Sequence, residues 1–119
     1  MKPIKFFMFG ADGFTCQMPR IREAMLNLGH IISKESPDLI YANDPTGYEK
    51  ALLLKKNFSK SFLILNFLDV PWHIPNVEKQ TKLLVDYFLS KADAATVISY
   101  KVKDDLSKFL NKKIQVIFI

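Results

Sequence analysis

Short apolar segments alternate with longer amphipathic segments along the chain, and this alternation predicts strands that alternate with helices. The predicted strands cover residues 4–9, 39–42, 62–66, 94–98 and 113–119. The predicted helices begin near Pro19, Thr46, Asn76 and Ser99. Since such units are joined by right-handed crossovers, we expect an α/β fold. The expected form is a single Rossmann-like domain over residues 1–119, with a mostly parallel sheet of about five or six strands and helices on both faces.

Residues 30–32 form one more apolar segment, close before the strand at 39–42. A parallel crossover needs about a dozen residues, and the few residues in between are too short for one. The two segments therefore cannot be neighbouring parallel strands. We assign the sheet position to 39–42 and interpret 30–32 as a lead-in, an edge strand or an antiparallel piece.

The helices are amphipathic to different degrees. Thr46 and Glu49 match a capping box and predict a helix that runs to about Lys56. Its leucines at 52–54 indicate a buried helix with solvated lysines, and a basic, membrane-facing helix is the alternative. Apolar stripes predict the buried faces of two helices. In the first helix the stripe consists of Ile21, Ala24, Met25 and Leu28, and Gly29 is the predicted C-terminal stop. In the third helix it consists of Val77, Thr81, Leu84 and Phe88.

The segment 62–65 lacks period-two alternation, which predicts a central strand covered on both faces. Asn66, Asp69, Trp72 and His73 follow at its carboxyl end, where open α/β sheets bind ligands. Asp69 or His73 could act as a general base or anchor a substrate hydroxyl, and Trp72 offers an aromatic face to a sugar. The alternative is a capped strand end in which the polar residues satisfy turn amides and Trp72 covers the core.

Two other strand ends carry candidate ligand contacts. Gly10, Asp12 and Gly13 follow the first strand, where glycines permit a close approach of backbone to a neighbouring segment or to a ligand such as a phosphate. Asn43 and Asp44 precede a predicted helix N-terminus, a position that suits an anion or a hydroxyl-rich ligand. Ordinary turns are the alternative at both places.

Composition narrows the function classes. The net charge of +5 is spread along the chain, and the aromatic residues lie in apolar segments, so we expect no nucleic-acid partner. Anionic lipid headgroups and phosphate-bearing ligands stay open. The single Cys16 excludes an internal disulfide framework and fits a reducing compartment, and no apolar stretch approaches the ~20 residues of a membrane span. Two His and one Cys, far apart, do not predict a metal site.

The order of motifs resembles the N-terminal half of a family 4 (group 1) glycosyltransferase. The resemblance lies in Gly29-His30, in SPDLIYAND, in FLILNFLDVPWHIP and in KADAATVISYKVKDDLSKFLNKKIQVIFI. In the last motif the matching positions are Ala92, Asp93, Ser99, Lys113, Ile114, Val116 and Ile117.

The resemblance implies a two-domain B-type fold whose N-terminal half binds the acceptor and whose C-terminal half binds the nucleotide-sugar. It implies transfer with retention of configuration, commonly without a metal, a nucleotide-sugar as co-substrate with no resident cofactor, and a glycan or lipid acceptor. Asp69 and His73 are the catalytic candidates. The expected substrate-binding residues are Gly10, Asp12, Gly13, Asn43, Asp44, Asn66, Trp72 and Ser99.

The family continues into a donor-binding domain that is absent from this chain, so we expect the chain alone to be inactive without that half or a separate subunit. We expect a cytoplasmic protein, with peripheral contact to an anionic inner membrane face as a further expectation. Two alternatives stay open. One is a receiver-like signalling module, although only Asp12 follows the first strand where a Mg²⁺ pocket needs an acidic pair. The other is a sugar- or nucleotide-binding domain without transfer activity.

Overall fold

The structure is a computed structural model that describes residues 2–10, 17–67, 78–97, 100–107 and 115–118. It confirms the predicted alternation of strands and helices and the α/β class. The elements are β1 Lys5–Phe9, α1 Gln17–Asn27, β2 Ile31–Ile32, β3 Leu39–Ala42, α2 Pro45–Asn57, β4 Phe62–Phe67, α3 Glu78–Lys91, β5 Ala94–Val97, α4 Tyr100–Ser107 and β6 Gln115–Phe118.

The strands form one six-stranded sheet in the order β2-β1-β3-β4-β5-β6. The pairings of β1 with β3 and of β5 with β6 are parallel, as the predicted mostly parallel sheet requires, and the pairing of β1 with β2 is parallel too. The chain divides into two compact units, Met1–Ile64 and Leu65–Ile119, with the boundary inside β4. In the first unit β1 lies between β2 and β3, so the direction in which strands are added reverses at β1.

The segment 30–32 contains a parallel edge strand, and of the three interpretations the edge strand is the correct one. Ile31 and Ile32 pair with Lys5 and Phe6, so β1 separates β2 from β3 and the two are not neighbours. The connection crosses β1, where Lys5 Nζ donates to the Glu35 carbonyl at 3.0 Å. A short connection suffices because β2 pairs only with the first two residues of β1.

The dipeptide Pro37-Asp38 fixes the start of β3. The Asp38 amide donates to the Lys5 carbonyl, and the Asp38 carboxylate accepts from the Lys5 amide, both at 2.8 Å. On the other side, the Ser61 hydroxyl donates to the Pro37 carbonyl, and the Phe62 amide donates to the Asp38 carbonyl at 2.9 Å. Backbone groups of the segments that start β1 and β4 are thereby joined to the start of β3.

Helix α1 begins at Gln17, slightly before the predicted start. Gly29 adopts a φ of +91° just after the helix, as expected for a C-terminal stop. The predicted stripe is wrong in part, because Ala24 is exposed and Leu28 lies beyond the helix with 66% of its surface exposed. Met18, in the first turn, is instead the fully buried residue of this helix.

The prediction that the leucines at 52–54 mark the buried side of α2 is wrong in part. Gly47, Tyr48 and Ala51 are the buried residues, whereas Leu52 and Leu54 are half-buried and 65% of Leu53 is exposed. Consecutive residues are about 100° apart around a helix, so three leucines in a row cannot share one face. Lys55 and Lys56 do lie in the last turn, as predicted.

Helix α3 buries Phe88 as predicted, but 48% of Leu84 is exposed. Val85 and Leu89 are buried instead, so the buried face is turned by about one residue from the predicted stripe. Strand β5 is buried at every position, as a central strand requires.

Candidate functional site

The reversal of strand order places a switch point between β1 and β3. Open α/β sheets bind ligands outside the carboxyl ends of the strands at such a point. Phe9 pairs with Ala42 at the last position of the two strands, so Gly10 and Asn43 emerge side by side. The Asn43 amide still donates to the Phe9 carbonyl at 3.2 Å. Three predicted site residues, Gly10, Asn43 and Asp44, therefore meet at this switch point.

Gly10 packs against the two polar side chains that follow β3. Its φ is +134°, a conformation that favours glycine. A β carbon on Gly10 would lie 1.7 Å from Asn43 Oδ1 and 3.1 Å from Asp44 Oδ2. Only a residue without a side chain fits at position 10. The prediction that the Gly10 backbone closely approaches a neighbouring segment is therefore confirmed, and that segment is Asn43-Asp44.

Asp44 is the N-cap of α2. Its backbone is extended, and its Oδ1 accepts a hydrogen bond from the Gly47 amide at 2.7 Å. The capping box predicted at Thr46 is therefore wrong, since the helix begins at Pro45. An aspartate cap followed by proline at the first helical position is favoured, because the proline ring presets the helical φ and lacks an amide that would need a partner.

Gly47 is a residue of this site that sequence reasoning missed. A β carbon here would lie 2.9 Å from the Phe9 carbonyl oxygen and 3.2 Å from Asp44 Oδ1. The first turn of α2 consequently packs directly on the backbone at the end of β1. A glycine inside the first turn of a helix, where alanine has the better propensity, was the signal that could have revealed it.

Tyr48 follows Gly47 in α2 and is 5% exposed. Burial raises its pKa above the ordinary value of 10.0, and the Asp44 carboxylate and Tyr41 raise it further. The Tyr48 hydroxyl therefore keeps its proton at pH values above 10.0, where an ordinary tyrosine ionises.

A cleft of about 630 Å³ opens beside these residues, within the first unit. Its lining includes Gly10, Asp44 and Gly47 together with Lys34 and further residues of β1 and α2. The Phe7 and Phe9 rings meet edge to face, with their centroids 4.9 Å apart. The volume lies in the range of small-molecule sites, which makes the cleft a candidate binding pocket.

Asn66 belongs to the second unit and lies inside the protein. It is fully buried, and its Oδ1 accepts a hydrogen bond from the Thr96 hydroxyl at 2.7 Å. A contact between Asn66 and substrate stays a prediction. The other predicted site residues lie outside the described residues, and their roles stay predictions too: Asp12, Gly13, Asp69, Trp72, His73 and Ser99.

Two absences hold for the part of the chain that the structure describes. No group of three or more His, Cys, Asp and Glu side chains there could hold a metal ion. None of the helices in that part is long and apolar enough to cross a membrane.

Comparison with known proteins finds no relative of this chain. No family model matches the chain, and no curated protein or solved structure matches it either. The site must therefore be interpreted from its own geometry and from the sequence motifs.

Proposed function

We propose that this chain is the acceptor-binding half of a retaining glycosyltransferase, which transfers a sugar from a nucleotide-sugar to a glycan or lipid acceptor. The observation that supports the proposal best is the meeting of Gly10, Asn43 and Asp44 at the switch point, beside a cleft of about 630 Å³. The ordered glycosyltransferase-like motifs supply the reaction class.

The chemistry of the strand ends suits a hydroxyl-bearing ligand. Asp44 Oδ1 accepts from the Gly47 amide, while Oδ2 lies on the side of Gly10 and could accept from an acceptor hydroxyl. Asn43 is only 5% exposed, so we assign it a positioning role between the two loops. Because Gly10 has no side chain, Asn43 and Asp44 can lie directly against the backbone at the end of β1, where Gly10 also lines the cleft.

The reaction itself needs groups that come from the resemblance. In this proposal Asp69 or His73 assists transfer, and a C-terminal domain or separate subunit binds the nucleotide-sugar. Peripheral contact with an anionic membrane would bring a lipid acceptor to the cleft, and the net charge of +5 favours such contact.

The test is a transfer assay on the complete gene product, or on this chain together with its separate donor-binding subunit. Labelled UDP- and GDP-sugars are offered with a lipid extract and a glycan extract, and the label in each product is measured. The anomeric configuration of the product is then determined by NMR. We expect transfer with retention.

Asp69→Asn and His73→Ala separate catalysis from folding in this assay. If either residue acts on the reacting groups, its substitution lowers kcat by roughly 100-fold or more while circular dichroism stays unchanged. Asp86→Asn, a change to an exposed residue on α3, is the matched control and should leave transfer intact. Absence of transfer from every donor, or inversion of configuration, would refute the proposal.

A receiver-like signalling module is the second candidate, and the strand order favours it. The first five strands follow the order β2-β1-β3-β4-β5, which is that of flavodoxin-like sheets. Incubation with acetyl phosphate and Mg²⁺ separates the two candidates. Stable phosphorylation of Asp69 would support the signalling module, whereas no labelling together with sugar transfer would support the glycosyltransferase.

A further inference from the structure

Part of the lining of the cleft in the first unit is apolar. Phe7 and Phe9 of β1 line it, and Leu53 and Leu54 of α2 line it as well. Leu53 is 65% exposed although it borders a cavity beside two aromatic rings. Apolar side chains around a cavity of this volume favour a ligand with a hydrocarbon part.

Two lysines line the same cleft. Lys34 Nζ lies 4.9 Å from the centre of the Phe7 ring and 6.0 Å from that of Phe9, within the range of cation–π attraction. Lys50 lies on α2, three and four residues before the two leucines and therefore on their side of the helix. Cationic heads thus border the apolar part of the cleft.

The segment that carries Lys34 is held in place over β1. The Glu35 amide donates to Ser33 Oγ at 3.1 Å, and Lys5 Nζ donates to the Glu35 carbonyl at 3.0 Å. These hydrogen bonds and the contact of Lys34 with the aromatic rings already restrict the segment. Binding of an anion would therefore cost less conformational entropy.

The N-terminus of α2 is not where an anion would bind. The Asp44 carboxylate already accepts the Gly47 amide there, and its negative charge would repel a second anion. Negative charge is favoured instead beside Lys34 and Lys50, and hydroxyl groups are favoured beside Asp44.

We propose that the cleft binds a single-chain amphiphile with an anionic head, whose head contacts Lys34 and Lys50 and whose hydrocarbon part lies against Phe7, Phe9 and Leu53. The proposal rests on the proposed function in one respect, which is that the amphiphile is taken to be part of the sugar acceptor. Binding is measured without any nucleotide-sugar, so its failure is distinguishable from a failure of sugar transfer.

The test uses octyl phosphate below its micelle concentration, titrated into the full chain and followed by amide NMR, with circular dichroism to confirm that the fold persists. Inorganic phosphate and octyl glucoside are the comparison probes, since each lacks one half of the amphiphile. We expect octyl phosphate to bind at least about ten-fold more tightly than either probe.

Charge-removing variants locate the head. Lys34→Gln and Lys50→Gln should each weaken octyl phosphate binding by about three- to ten-fold, as loss of a partly exposed charge contact does. Lys56→Gln, on the same helix but outside the cleft lining, is the matched control and should bind like the unaltered chain. Leu53→Gln should weaken octyl phosphate binding and leave binding of inorganic phosphate unchanged.

Two results would overturn the proposal. One is equal affinity for octyl phosphate and either comparison probe, and the other is equal loss in Lys56→Gln and the two cleft variants. Vesicles with and without phosphatidylglycerol then identify the source of the ligand. Vesicle binding that requires phosphatidylglycerol and falls in Lys34→Gln indicates a membrane lipid, whereas octyl phosphate binding without vesicle binding indicates a free amphiphile.

Discussion

Replacing Gly10 by alanine tests the geometry of the strand-end site. The new β carbon would lie 1.7 Å from Asn43 Oδ1 and 2.8 Å from Asn43 Cγ, far inside van der Waals contact. Asn43 is 5% exposed and therefore has little room to move its side chain away. The alanine would also have to adopt a φ of +134°, which L residues rarely do.

The expected loss has two parts. Backbone strain costs about 1–2 kcal/mol, and forcing the buried side chain aside costs about 1–3 kcal/mol, which gives a total of about 2–5 kcal/mol. Gly29→Ala is the matched control, because Gly29 also has a positive φ of +91° but would meet no atom within 4 Å. It should lose only the strain, about 1–2 kcal/mol.

Urea unfolding followed by circular dichroism measures both losses. The double variant Gly10→Ala with Asn43→Ala removes the two closest atoms, so its loss should be smaller than the sum of the single losses by about 1–3 kcal/mol. Equal destabilisation by Gly10→Ala and Gly29→Ala, with no coupling to Asn43, would show that the packing described at the switch point is wrong.

Three further substitutions probe the surroundings of the site and the second unit. Thr96→Val removes the hydroxyl that donates to the buried Asn66 Oδ1 and should lower the free energy of unfolding by about 1–3 kcal/mol. Urea unfolding measures this loss, and an unchanged free energy would indicate that the two side chains are solvated. Asp44→Ala removes the cap from the Gly47 amide and should cost about 1 kcal/mol in the same assay, whereas a neutral result would argue against capping. Tyr48 has a raised pKa from burial and the Asp44 charge, so above pH 10.0 the unfolded chain loses this proton while the folded chain keeps it, and stability falls as pH rises. Tyr48→Phe should reduce that fall in a pH series of thermal unfolding, and an identical slope in both proteins would contradict the burial.

The fold could be predicted because its signals are local. Strand β5 is buried along its length, and the segment 62–65 lies in an inner strand as predicted, although 47% of Phe62 is exposed and Ile64 is half-buried. The short spacing between residues 32 and 39 indicated that β2 and β3 are not neighbouring strands, and the strand order confirms it. Strand order could not be predicted, because it depends on which strands pair across the sheet. For that reason the sequence directed attention to the end of β4, whereas the switch point lies between β1 and β3.

The site was predicted only in part, again because strand pairing could not be read from the sequence. Gly10, Asn43 and Asp44 were recognisable as turn-forming residues at strand ends, but their mutual contact depends on the pairing of Phe9 with Ala42. Lys34 was missed because its contact with an aromatic ring on β1 joins residues that are distant in sequence. The buried face of a helix was predicted wrongly where several apolar residues follow one another, as at Leu53, because tertiary packing then selects which of them are buried.

The central claim is that ligands bind at the carboxyl ends of β1 and β3. Its most direct test is an amide NMR titration of the chain with the acceptor glycan or lipid identified in the transfer assay. The account predicts that the largest shift changes fall on Gly10, on residues 43–47 and on Lys34. Changes confined to other segments, such as the exposed residues Leu83, Leu84, Asp86 and Tyr87 of α3, would contradict it.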